Sequence, residues 1–274
     1  MPGHKTRASA ALLALGALAY TAWILEVLVG TGLDPVRTYV SELAAADQPL
    51  GGFFRSADLV AGTLVLAGAV KGLLGTRRPT EVTGVTGVTE VTEARRPTEV
   101  TEARGPTETP GPTETRGHHA SGSPRPSHEP WALVGWIALA VFGAATVADS
   151  RLPLSCAATA DLACAAREAA GRVPLTHTAH AVSSGLAMTA ALVALIALTT
   201  AARRHDRRRP LARTGPALVA VELAATLWTL AAVAAFEAGK GTWALGAGQR
   251  LQVLLVAVWL AVLACTLAVS EEER

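Results

Sequence analysis

Apolar residues in this chain come in long unbroken runs, and not in the period-two alternation of half-buried strands or the one-faced stripe of surface helices. Six runs cover residues 8–29, 53–74, 131–147, 180–201, 216–236 and 251–270, the third slightly short. Most are roughly 18–22 residues long, the length that crosses the hydrocarbon of a bilayer. Ala, Leu and Val dominate each run, and Pro and most charges stand at the ends. Lipid offers a backbone no hydrogen-bond partners, so each run is predicted to be helical. The expected fold is an all-α, polytopic membrane helix bundle of about six transmembrane helices, with the lipid bilayer as its first partner. Trp23, Trp131, Trp136, Trp243 and Trp259 fall mostly toward run ends, where interfacial anchors sit. Basic residues ahead of the first run also suit a signal peptide, but the run is long for one and no small-residue cleavage site follows it. It is read as a span.

Between the second and third runs the chain changes character. RRPTEV occurs at 77–82 and 95–100, VTEAR at 91–95 and 100–104, and GPTET at 105–109 and 111–115. A segment this rich in Thr, Glu, Pro, Gly and Arg buries too little apolar surface to offset its ordering entropy. The predicted organisation is two spans with their loop over 1–75, a disordered cytoplasmic linker over 76–129, four spans over 130–270, and a tail over 271–274.

Charge sets the orientation. With the N-terminus inside, the cytoplasmic segments hold Lys5, Arg7, Lys71, the linker arginines, the cluster Arg203, Arg204, Arg207, Arg208, Arg209 and Arg213, and Arg274. The other side holds only Arg37, Arg55, Arg151, Arg167, Arg172, Lys240 and Arg250. The positive-inside rule then predicts a plasma-membrane protein with both termini cytoplasmic. A net charge of +2 gives no support to a nucleic-acid partner. Of the three cysteines, Cys265 lies in the sixth run, while Cys156 and Cys164 share an outer loop, where an oxidising compartment would keep a disulfide. Two free thiols or a metal site are the alternatives, although two cysteines are too few for a structural zinc.

Ionisable residues inside spans are costly and need partners. Glu26 and Asp58 fall in the outer parts of the first and second runs and Glu222 in the inner half of the fifth. Asp149 follows the third, His177 and His180 open the fourth, and Arg250 opens the sixth. The first outer loop adds Ser41 and Glu42 in VRTYVSELAA, a stretch able to lie on the interface as a short helix that packs Tyr39, Val40 and Leu43 on the bundle. Ser41, Glu42, Asp58, Asp149, His177, His180 and Arg250 are therefore expected to gather at the outer surface. Helical spacing puts His177 and His180 on one face. With Asp149 or Asp58 they would make a two-histidine, one-carboxylate zinc set with an open position. The plainer reading is interhelical hydrogen bonding and an Arg250–carboxylate pair. No phosphate-binding glycine loop, HExxH or GxSxG occurs.

VRTYVSELAAADQP after the first span, Asp149 after the third, THTAH opening the fourth and GAGQRLQVLLVAVW in the last resemble the multi-pass membrane family known as domain of unknown function 998. Its recurring pattern is a Ser-Glu/Ala-Leu loop, an Asp after a span, a His before the next, and a Gly-x-x-x-Arg entry into the final helix. The resemblance implies that Ser41, Asp149, Arg250 and one of His177 and His180 match that pattern, and it leaves open which histidine. It covers most of the chain except the linker and implies a fold without an activity. The pattern is also faintly similar to membrane hydrolases that set Ser, Asp and His around zinc. Those need a third histidine in a late helix, and the fifth and sixth runs have none. The expected function is a non-catalytic bundle binding a small molecule, a lipid or a membrane-protein partner, with no cofactor. The alternatives are a zinc-dependent hydrolase and a proton-coupled carrier using Glu222 and Asp58.

Overall fold

The structure is a computed structural model that describes residues 3–76, 129–207 and 209–272. The repeats expected to form a disordered linker lie outside the described residues. Helices α1 (Gly3–Tyr20), α2 (Glu26–Val29), α3 (Gly51–Thr76), α4 (Pro130–Arg151), α5 (Leu162–Ala169), α6 (Leu175–His205), α7 (Pro210–Glu237) and α8 (Leu245–Glu272) follow in order, with 3-10 turns at Ala22–Leu25 and Val40–Ala44. Among the described residues six segments are long and apolar enough to cross a membrane, the first running from Thr6 through α2 to Val29.

The spans run up and down and close into a ring. α1 packs on α3, α3 on α4, α4 on α6, α6 on α7, α7 on α8, and α8 returns to α1. The inside of the ring is one apolar cluster with Leu13 from α1, Val65 from α3, Phe142 from α4, Leu195 from α6, Leu211 from α7 and Trp259 from α8. The outside is also apolar: Leu18, Val60, Leu227 and Leu230 are each more than half exposed. Water would not tolerate apolar surface on that scale, whereas hydrocarbon solvates it.

Hydropathy misjudged several boundaries. α4 runs to Arg151 and not 147, so Asp149 stands inside the helix. α6 begins at Leu175, so His177 is helical as well. α7 begins at Pro210 and carries Pro216 within it. Trp136 and Trp259 are not interfacial anchors, being 6% and 0% exposed in the core. Gly72 makes room for the Trp136 ring, where any Cβ would overlap it.

Small residues let the helices approach closely, as membrane interfaces require. A Cβ on Gly143 of α4 would lie 2.6 Å from the Leu66 nitrogen and 2.9 Å from the Gly62 carbonyl oxygen of α3. Those are backbone atoms, so no rotamer change relieves the clash. Gly143→Val should therefore destabilise the fold by about 1–3 kcal/mol, the usual cost of overpacking, as read by reversible unfolding in detergent or bicelles. An unchanged stability would mean that α3 and α4 are not in backbone contact.

Candidate functional site

At the end of the ring that carries the loops, polar side chains replace the apolar filling. The 3-10 turn Ala22–Leu25 tightens the first span, and Glu26 is 5% exposed at its exit. Arg250 of α8 meets it in a two-pronged pair: Nε donates to Oε1 at 2.6 Å and Nη2 to Oε2 at 2.7 Å. The third nitrogen, Nη1, donates to the Thr38 carbonyl at 2.7 Å and the Gly246 carbonyl at 3.2 Å. Gly246, four residues before Arg250, has to be glycine here, because a Cβ would press on the Pro35 and Thr38 carbonyls. Glycine and arginine thus act together: the first lets the loop backbone descend onto α8 and the second bonds it.

The rest of that loop is stapled on three sides. Ala247 donates its backbone N–H to the Val36 carbonyl at 3.2 Å, and Val40 donates its own to Gln249 Oε1 at 2.6 Å. Arg55 of α3 donates to the Ala44 and Ala45 carbonyls. Ala46 donates to the Leu154 carbonyl at 2.8 Å. Glu42, 1% exposed, accepts the Thr159 N–H at 2.8 Å, the Thr159 hydroxyl, and the Tyr39 N–H at 3.1 Å. Thr159 belongs to the loop closed by the Cys156–Cys164 disulfide. His177 holds the same loop, accepting the Ser155 N–H at 3.1 Å on Nδ1, with Glu168 3.4 Å from Nε2.

Under this roof lies a cavity of about 90 Å³, several times the ~10–15 Å³ that one water centre needs. Ser41, Asp58, Asp149 and His180 face it, joined by Ser184 and Arg55. Three aromatic residues, Tyr20, Trp23 and Phe54, complete the wall, and the Trp23 indole nitrogen has no hydrogen-bond partner. Asp149 is well held: Ser183 donates to Oδ1, Ser184 donates to Oδ2 at 2.6 Å, and His180 Nδ1 stands 3.2 Å from Oδ1 without hydrogen-bond alignment. The Ser184 hydroxyl is also 3.4 Å from His180 Nε2.

The structure thus divides the expected cluster. Ser41, Asp58, Asp149 and His180 converge on the cavity, while Glu42, His177 and Arg250 build its roof and frame. The two histidines do not close on one ion, since His177 turns to Ser155 and His180 to Asp149. Among the described residues no three His, Cys, Asp or Glu side chains are placed to hold a metal. Glu222 lies apart in the seam between α7 and α8, 1% exposed, within hydrogen-bonding reach of Gln252 and with Oε2 unpartnered. Sequence reading missed Ser184, one turn after His180, and Arg55, one turn before Asp58. Helical spacing from the chosen residues would have found both.

Residues 13–89 and 120–266 match the family described as Protein of unknown function (DUF998). The chain belongs to the DUF998 family. The unmatched stretch, 90–119, falls inside the low-complexity repeats. No match is found among curated proteins or among solved structures. Within this DUF998 chain the Gly246–Arg250 pair and Ser41 now have physical roles, as loop anchor and cavity roof.

Two predictions follow from the frame. Arg250→Met leaves the Glu26 carboxylate buried and unpaired, which should cost about 3–5 kcal/mol, whereas Glu26→Leu with Arg250→Met should recover most of the loss. Unfolding of the two variants in bicelles checks this, and equal losses would refute it. Burial raises the Glu42 carboxyl above its ordinary value of 4.5, against the opposing hydrogen bonds from Thr159 and Tyr39. A raised folded value means that the native state holds the proton more tightly than the unfolded one. Stability is therefore full below the ordinary value and falls as pH rises through the native one. Thermal denaturation across pH 4–8 should show a downward slope with rising pH that Glu42→Gln reduces.

Proposed function

We propose that this membrane protein is a binding bundle whose cavity takes an organic cation carrying one positive charge. The observation that carries the reading is the lining itself. Two acids, Asp58 and Asp149, line it with one guanidinium, Arg55, so acidic side chains outnumber the strongly basic one there. Tyr20, Trp23 and Phe54 supply ring faces beside those acids. Carboxylates with aromatic rings in a desolvated pocket are the chemistry that recognises ammonium groups. Asp58 has no hydrogen-bond or ion-pair partner within the described residues, and an acid without a partner in a span calls for a ligand or a proton.

The arginine distribution supports an orientation with both termini in the cytoplasm and the cavity roof on the outer side of the plasma membrane. The disulfide in the roof's supporting loop suits that side. A hydrolytic reading draws on the contact chain Asp149–His180–Ser184. It is the weaker one. The Ser184 hydroxyl donates to Asp149 and not to the imidazole, and Ser184 lies within α6, whose backbone N–H groups are engaged in the helix and cannot form an oxyanion hole.

Titrating detergent-purified protein with n-butylammonium should raise its melting temperature, and Asp58→Asn and Asp149→Asn should each abolish the rise. Ser184→Ala should keep it. Equal responses in wild type and both Asn variants would refute the cation reading. Ester or amide turnover lost in Ser184→Ala would establish the hydrolytic one.

A further inference from the structure

A second hollow adjoins the cavity. Val29, Gly30 and Thr31 at the end of the first span and Gln48, Pro49 and Leu50 ahead of α3 line about 250 Å³ of it. Its inner wall is Leu43 and Phe54, and the same two side chains line the acidic cavity. They pack in one small cluster with Ala44, Trp23 and Leu33. Two apolar side chains thus stand on the border between this mostly apolar hollow and the acidic cavity.

Elsewhere the roof is held to its neighbours by polar bonds. Gln249 and Arg250 hold the roof to α8, Arg55 holds it to α3, and Leu154 and Thr159 hold it to the disulfide loop. Between Leu43 and Phe54 only dispersion contacts stand, and they reform on any apolar surface that replaces them. The approach to this wall is apolar too. Val27 and Leu28, just before the hollow, are 75% and 80% exposed in a span whose outer face meets hydrocarbon. A water-soluble cation has no use for such a hollow, but a hydrocarbon chain does.

We infer that the ligand is a membrane amphiphile: an amine head seated between Asp58 and Asp149, and a hydrocarbon chain lying in the hollow, admitted sideways from the bilayer where Leu43 meets Phe54. This rests on the reading of the cavity as a cation site. It adds the ligand's second half and its route of entry.

The test uses full-length protein in phosphatidylcholine vesicles and a long-chain primary alkylamine with a diazirine in mid-chain. After irradiation, peptide mapping should find the label concentrated on segments 27–31 and 48–54, and excess unlabelled alkylamine should remove it. Leu50→Trp, which fills the hollow, should lose that label while keeping the Asp58-dependent thermal response to n-butylammonium. Thr31→Trp serves the same purpose where Leu50→Trp fails to assemble. Label spread evenly over the outward faces of α6, α7 and α8, or undiminished in the Trp variants, overturns the sideways route and leaves the cavity reading standing. Absence of any Asp58-dependent response to the short amine in wild type overturns both.

Discussion

Glu26 and Arg250 are buried charges at the seam where the first span meets the last, and everything at the loop end of the bundle is arranged around their need for each other. A lone guanidinium or carboxylate at that depth would be too costly to keep. Paired through two short bonds, with the third nitrogen on the Thr38 and Gly246 carbonyls, each charge is satisfied. The pair closes the ring between α1 and α8 and fixes the height of the first loop. That height decides where the 3-10 turn Val40–Ala44 sits, and hence where the cavity has its roof.

The rest of the loop end reads as a division of labour between framing and facing. Glu42 and His177 bond backbone and side-chain partners around the roof, and the disulfide closes the loop that carries Thr159. Asp149 is oriented by serines of α6 but keeps a side turned to the cavity. Asp58 has no hydrogen-bond or ion-pair partner among the described residues, at the loop end where polar side chains replace the apolar filling of the ring. A cavity, two acidic side chains and aromatic walls coincide there, and a second, mostly apolar hollow shares Leu43 and Phe54 with it.

Much of this architecture was legible in the residues, because hydrocarbon imposes a length and a polarity that a single sequence displays directly. The six spans and the membrane setting came from run length alone, and the cysteine pair from its position in one loop. Helix ends were less legible. Hydropathy stops the third run at Val147, but Asp149 continues it because Ser183 and Ser184 of another helix accept its burial, and one run cannot show that. Trp136 and Trp259 were misjudged for a related reason: proximity to a run end says nothing of which way a ring points. Arg250 was expected to need a carboxylate, but its partner lies 224 positions away in the chain, and spacing carries no information at that range. His177 and His180 show the converse error, since neighbouring positions on one helix were drawn to different partners by a loop that the spacing argument did not include.

The central claim is that Asp58, Asp149 and His180 share one acidic cavity at the loop end of the ring. It is tested most directly by placing a thiol in that cavity and comparing reagents that differ only in charge. In protein with Cys265 replaced by Ala, a Ser184→Cys substitution would be treated with cationic and anionic methanethiosulfonates of similar size. An acidic cavity predicts that the cationic reagent reacts about tenfold faster or more, a preference that shrinks when Asp58→Asn is added. Equal rates for the two reagents, or an anionic preference, would contradict the account.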